Sequence, residues 1–423
     1  MIDIQNNWAR NYTYRAAHIH KPETVEHIQE LVLHSSKLKA LGTRHSFNDI
    51  ADSPGALISL ERLDNIVALD RTRLTVTVEA GVRYGKLARW LHEEGYALHN
   101  LASLPHISVA GGCATATHGS GDRHGNLATA VSAIELVKAD GDVVVLSREQ
   151  NGQHLEGAVI GLGGLGMVTR LTLDISPTFQ MQQDVYQNLL LNRLDGHFDE
   201  LTSSVYSVSL FTDWRNAAFN QVWLKRLAPD GISVKAEPEL YGATLATTHL
   251  HPIKAISAEN CTEQMGVCGP WFERLPHFRM DFTPSSGEEL QSEYILPRRH
   301  AIAALHAIDE IRDLISPHLQ ISEVRTIAAD NLWMSPCYKQ ACVAIHFTWK
   351  KDWERIREVL PILERQLEPF DARPHWGKLF TLSPARLQSL YEKITDFQCL
   401  LQEYDPQGKF RNAFLDKYIF GAA

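Results

Sequence analysis

Apolar positions along this chain change their period from one stretch to the next, and the changes mark its elements. Within residues 23–37, Val25, Ile28, Leu31 and Val32 fall at helical spacing, whereas ALISLERL (56–63) and RLTVTVEAGV (73–82) alternate with the two-residue period of strands. KLKALGTRHSF runs from a short strand into a loop opened by Gly42. YGKLARWLHEEG (84–95) reads as a helix closed by Gly95, and AIELVKADGDVVVLS (133–147) as a hairpin turning at Asp140-Gly141. Further on, Gly161, Gly163 and Gly166 stand in the order G-x-G-x-x-G. A dinucleotide fingerprint needs a helix after it, and MVTRLTLDIS keeps strand alternation up to Pro177, so no Rossmann unit is expected.

Ser176-Pro177 marks a domain boundary. Strands SVSLFTDW (207–214), QVWLKRL (221–227) and LQSEYILP (290–297) follow, then a helix over 298–316 with Ile302, Leu305, Ile308, Ile311 and Ile315 on one stripe. ISEVRTIA (321–328) and CVAIHFTW (342–349) read as strands and 351–368 as a second amphipathic helix. The fold class expected is α+β in two domains, residues 1–176 and 177–375, the second an antiparallel sheet with helices on it.

Composition narrows the function. The chain has 423 residues with 44% hydrophobic and 22% charged, enough for two cores. A net charge of −9 without a basic run argues against nucleic acid. The N-terminal stretch MIDIQNNWARNYTY lacks the pattern of a signal peptide, and no apolar run approaches the ~20 residues that span a bilayer, so a soluble cytoplasmic protein is expected. Six cysteines (113, 261, 268, 337, 342, 399) without a CxxC pair fit reduced thiols better than a disulfide framework or a zinc site, and no metal is expected. Asn11-Tyr-Thr and Asn260-Cys-Thr match the glycosylation pattern but carry no weight without a secretory route.

Two segments carry chemistry. The loop Gly42-Thr43-Arg44-His45-Ser46-Phe47-Asn48 can turn successive backbone N–H groups into one concavity, where a pyrophosphate binds without a helix N-terminus. His45 in its middle is either a nucleophilic imidazole beside that site or, more commonly for a loop histidine, a residue bonded to a backbone carbonyl. From Ala102 to Gly121 almost every side chain is small, which lets backbone approach a flat ligand. A tight packing turn explains such a stretch less well.

Together, Gly-x-x-His-Ser-Phe-Asn, Ser-Leu-Pro-His-Ile-Ser-Val-Ala-Gly and Thr-His-Gly-Ser-Gly resemble the flavin domain of the vanillyl-alcohol-oxidase-type (PCMH-type) superfamily, most closely the alditol (xylitol) oxidases. The resemblance runs from Asn7 to the C-terminus. It implies FAD joined covalently through its 8α carbon to His45, with residues 42–48, Ser103, Ser108, Gly111, Gly112, Cys113, Ala114 and the Val168 backbone around the cofactor. It also implies that the last segment, about 376–423, returns to complete the flavin domain, DPQGKFRNAF (405–414) being similar to that segment. Ala102 would lie near the reactive edge of the flavin.

On the second domain's strands, Glu323 and Arg325 share a face, as do Ala344, His346 and Thr348, and as do Gln291 and Glu293. Such faces either floor a polar pocket or meet solvent. The resemblance implies the pocket: Glu323, Arg325, His346, Thr348, Gln291, Ser103 and Lys378 at the substrate, and His375 at FAD. Oxidising a carbinol requires a base for the O–H proton, and His346 and Lys378 both qualify. Burial and Arg325 would lower the lysine's pKa, and Arg325 and Lys378 place positive charge where negative charge develops. Glu323, Gln291, Thr348 and Ser103 would bind the remaining hydroxyls of a polyol. The expected activity is oxidation of a terminal alcohol of a polyol such as xylitol or sorbitol to the aldose, with oxygen reduced to hydrogen peroxide, in a monomer. The alternatives are an aldonolactone oxidase or dehydrogenase, and a non-catalytic polyol-binding protein with a vestigial flavin site. His18-x-His20 and His249-x-His251 read as surface histidines rather than metal ligands, and Trp214, Trp223, Trp271 and Trp333 as core.

Overall fold

The computed structural model describes residues 5–282 and 288–421, so the first residues of the stretch read for a signal peptide, 1–4, lie outside it. Helix Val25–His34 starts where Thr24 caps it, its side chain accepting from the His27 N–H, and buries Ile28 and Val32. They pack over a parallel sheet in which strand Ala56–Ser59 lies between His18–His20 and Leu38–Leu41. A five-stranded antiparallel sheet adjoins it, ordered Ile66–Asp70, Thr75–Glu79, Met167–Asp174, Val131–Val137 and Val143–Ser147. Its last two strands are the expected hairpin, with Gly141 at φ +86° in the turn. A strand, not a helix, follows the GLGGLG segment, as its alternation predicts. Gly166 has φ +151°, and a Cβ there would meet Val137 O at 2.4 Å.

Besides a short pairing of Ser176–Pro177 with Tyr96–Ala97, a larger sheet has ten strands. Across it run, in order, Gln180–Leu190, Ala218–Leu227, Ser207–Thr212, Leu319–Ile327, Cys342–Lys350, Glu289–Pro297 and the edge strand Arg373–Pro374, all antiparallel. One face packs on helices Ala301–Glu310 and Trp353–Leu367, whose Leu305, Ile308, Ile356 and Leu360 meet Val324, Ile345, Phe347 and Tyr294 in one core. The opposite face carries the polar residues. The single helix expected over 298–316 is instead a 3-10 turn, Arg298–His300, and two helices, Ala301–Glu310 and Arg312–Ile315. Between them Ile311 leaves helical geometry at φ −107°, which turns the chain toward strand Leu319–Ile327 while Ile308 and Ile315 both stay buried. Trp214, Trp223, Trp271 and Trp333 are all buried.

The end of the chain packs back on its beginning. Trp376, Phe397, Leu400, Phe410, Phe414 and Leu415 share a core with Ile28, Ile58, Val78 and Leu136, joined by Trp271, Phe272, Trp333 and Met334 from the intervening segment. Asn412 Nδ2 donates to the carbonyls of Asp49, Ile50 and Asp52, and Lys409 Nζ to those of Val32 and Ala139. Among the described residues no disulfide forms, no helix is long and apolar enough to cross a membrane, and no cluster of metal-ligating side chains occurs.

Candidate active site

Both halves of the molecule contribute to a cavity of about 820 Å³. One wall is the loop after strand Leu38–Leu41. Residues 42–47 line it, and Phe47 N–H donates to Gly377 O. Asn48 does not line it: its side-chain amide donates to the carbonyls of Trp376 and Lys378, clamping the loop to the returning segment, so it acts by fixing the loop rather than by touching a ligand. His45 stacks on Trp8, its Nδ1 lies 3.2 Å from Thr43 Oγ1, and its Nε2 lies 2.6 Å from His106 Nε2. Burial, then the neighbouring His106, push the His45 pKa down to about 3; burial and Arg83 push that of His106 down to about 4. His45 is therefore a neutral imidazole at ordinary pH, the form that has a lone pair to give.

The small-residue stretch continues this wall. Ser103, Ser108, Gly111, Gly112, Cys113 and Ala114 all border the cavity, the last four from the short helix Val109–Ala114. Space is tight: a Cβ on Gly111 would come within 2.8 Å of Ser108 Oγ, and one on Gly42 within 3.0 Å of the same atom. Val168 borders the same cavity, as do Gly161, Gly163, Gly166 and the buried Lys39. The glycine segment thus serves the cavity although it is no Rossmann turn.

The facing wall is the polar face of the ten-stranded sheet. Strand register places Glu293, His346 and Glu323 in one row across three neighbouring strands, and Gln291, Thr348 and Ile321 in the next. His346 therefore sits between two carboxylates. Glu293 Oε2 accepts from Lys378 Nζ at 2.6 Å and Oε1 from Arg325 Nη2 at 2.6 Å, with His118 Nε2 at 3.3 Å. Lys378 Nζ also lies 2.6 Å from His346 Nδ1, whose other nitrogen meets Thr348 Oγ1 at 3.0 Å. His375 borders the same space, with its backbone N–H on Glu293 O.

This face is buried, so its charges are strongly coupled. Burial alone would raise the Glu293 carboxyl; Lys378, His118 and Arg325 outweigh it and hold it well below the usual range. Glu323 is held low in the same way by Arg325 and His277. Burial, then Arg325, lower Lys378, with Glu293 pulling the other way. Burial, then Lys378, bring His346 down to about 4. At neutral pH the face presents two carboxylates, one guanidinium, a neutral imidazole and an ammonium that gives up its proton more readily than an ordinary lysine.

The cavity collects every site residue expected from sequence except Asn48. Sequence reasoning placed Glu293 on the right face without assigning it a role, although it is the hub of the ion pairs. His106 and His118 lay inside the quoted small-residue stretch, where they argued against core filler but received no role of their own. His277 reaches the cavity from a loop with no periodicity, so nothing local marked it. His251 also borders the cavity rather than simply facing solvent.

Residues 16–147 match the family model of an FAD binding domain, and residues 285–418 the model described as D-arabinono-1,4-lactone oxidase. An alditol oxidase from Streptomyces sp. (strain IKD472 / FERM P-14339) is 50% identical over 424 residues, covering 100% of both chains. L-Gulonolactone oxidase of Mus musculus is 26% identical with 98% of both chains covered. The solved cholesterol oxidase from B. sterolicum superposes with a TM-score of 0.76 over 98% of this chain and 96% of that one; at 13% identity it speaks for the fold alone. Fold and matches define an FAD-binding oxidoreductase. The chain belongs to the alditol oxidase family of vanillyl-alcohol-oxidase-type flavoproteins.

The residues fit that cofactor. Loops of small side chains border one long wall, as a flat ring system and a pyrophosphate require. One buried ring nitrogen beside them, His106 Nδ1, has no hydrogen-bond partner within the protein.

Proposed function

We propose that the protein is an FAD-dependent alditol oxidase that converts the terminal primary alcohol of polyols such as xylitol or sorbitol to the aldose, with the flavin carried on His45. The observation that carries this reading is the row Glu293–His346–Glu323, flanked by Arg325, Lys378, Thr348 and Gln291, on the cavity wall opposite the small-residue loops. When bound, FAD supplies the acceptor for hydride from the carbinol carbon and passes the electrons to oxygen as hydrogen peroxide.

The chain's own residues do the rest. Ionised Glu323 accepts hydrogen bonds from vicinal hydroxyls, which selects a polyol over a simple alcohol. Gln291, Thr348 and Ser103 add neutral partners along the chain of hydroxyls. Arg325 Nε has only Glu323 Oε2 at 3.6 Å, too long for a hydrogen bond, so this buried donor is available to the substrate oxygen. The hydroxyl proton passes to the His346–Lys378 pair, 2.6 Å apart, once Lys378 has released its own proton to solvent, which burial and Arg325 make easier than for an ordinary lysine. Glu293 holds Lys378 and Arg325 in place and offsets their charge.

A peroxide assay separates this reading from a lactone oxidase: the protein should release peroxide from xylitol or sorbitol and not from an aldonolactone, and the opposite preference would overturn it. For the tether, acid-precipitated protein should stay yellow and the His45→Ala variant should release its colour. A Lys378→Ala variant whose flavin is reduced at the wild-type rate at every pH would remove that lysine from the proton-accepting pair.

A further inference from the structure

Glu323 is gripped from behind by residues outside the strand constellation. His277, in the loop after the turn Trp271–Glu273, has its Nε2 2.7 Å from Glu323 Oε1. Its Nδ1 lies 3.2 Å from Nζ of Lys225, which is fully buried on strand Ala218–Leu227. The same Nζ is 2.5 Å from Leu275 O and 3.1 Å from Pro276 O. Burial pushes the Lys225 pKa down to about 7, with Glu323 pulling the other way, and the geometry favours the charged form: an ammonium has three hydrogens, and here they meet three acceptors. One proton arrangement satisfies the whole set. Ionised Glu323 only accepts, so His277 Nε2 carries the hydrogen; a neutral imidazole then leaves Nδ1 bare, and Nδ1 accepts from Lys225. The rings of Phe211 and Trp223, both 5.3 Å away and edge-on, hold the imidazole plane.

We propose that Lys225 and His277 are positioning residues that fix Glu323 as an ionised, oriented acceptor and so set the affinity for adjacent hydroxyls of the polyol. The proposal rests on the alditol oxidase reading and deepens it. The charged and titratable groups acting on the relay are Arg325, His277, His346 and Lys378 at Glu323, Glu323, Lys225 and Arg325 at His277, and Glu323, Cys261, Arg325 and Arg274 at Lys225. Burial pushes His277 down to about 4, so the ring stays neutral over the working range.

The test is steady-state oxidation of xylitol by flavin-loaded protein across pH, with flavin content and melting temperature measured on each variant. His277→Phe and Lys225→Met should raise KM roughly ten- to hundredfold, the loss expected for a hydrogen bond to a charged group, while kcat stays within about threefold. The acid limb of kcat/KM should move to higher pH, because Glu323 without its donor is protonated more easily. His277→Gln, whose amide can still donate, should recover part of the affinity. In a Glu323→Gln background the same substitutions should change KM by less than about twofold, since a relay acting only through Glu323 has nothing left to act on. Unchanged KM in folded, yellow Lys225→Met or His277→Gln/Lys225→Met protein, or a full effect surviving in the Glu323→Gln background, would overturn the relay. No turnover of any polyol by the wild type would instead overturn the functional reading on which it rests.

Discussion

The two walls of the cavity are made by opposite means. The loop wall, residues 42–47, 102–118 and 161–166, is made mostly of backbone and small side chains and leaves little space for added volume, as the 2.8 Å approach of a Gly111 Cβ to Ser108 Oγ shows. The strand wall offers long charged side chains, each locked by a partner on a neighbouring strand or in the returning segment. One wall recognises by shape and the other by charge. Substitutions should therefore fail differently on the two walls: added volume harms the first, and lost charge harms the second.

The largest effect should come from the hub. Glu293→Gln leaves Lys378 and Arg325 without their shared carboxylate, and breaking a buried pair in this way costs about 3–5 kcal/mol. Thermal unfolding should show that loss, and polyol oxidation should fall by a factor of about 100 or more. Arg325→Lys keeps the charge and loses the fork; kcat/KM should drop by roughly 100-fold with flavin content unchanged. On the loop wall, Gly166→Ala combines a positive φ with a Cβ 2.4 Å from Val137 O. It should cost about 1–3 kcal/mol in melting experiments and lower flavin content. A Gly166→Ala protein with full stability would show that the loop wall is not shaped as tightly as described. Thr348→Val should have the smallest effect, a rise in KM of about two- to tenfold for loss of one neutral hydroxyl.

Acid should weaken both walls, since His45 and His106 on the loop wall are also held low. His277 and His346 are held near pKa 4 in the folded chain against about 6.5 unfolded. A depressed pKa contributes stability that is complete above about 6.5 and is lost as pH falls toward 4, since only the unfolded chain gains the protons in that window. The melting temperature should therefore decline between those pH values, and less so in His277→Phe if that variant remains folded.

Much of this was legible in the sequence because strands repeat every two residues. Glu323 with Arg325, His346 with Thr348, and Gln291 with Glu293 had to share faces, and the alternation of MVTRLTLD ruled out a Rossmann turn despite its glycines. Register was not legible. That Glu293 and Glu323 flank His346 depends on which residue faces which across three strands, and the long connections between them leave no local trace. Loop partners were equally hidden: His277 meets Glu323 across 46 residues, and Asn48 meets Lys378 across 330. The break at Ile311 was missed for a related reason, since the apolar stripe continues through it while the backbone does not.

A polyol held on the strand wall should deliver its electrons to a flavin on the loop wall. Anaerobic mixing of the purified yellow protein with xylitol tests it most directly, the flavin absorbance being followed before and after air is admitted. The polyol should bleach the flavin, colour should recover in air with release of hydrogen peroxide, and bleaching should be roughly 100-fold slower in Arg325→Lys. Flavin that stays oxidised with every polyol tried, in protein carrying its full complement of FAD, would contradict this transfer.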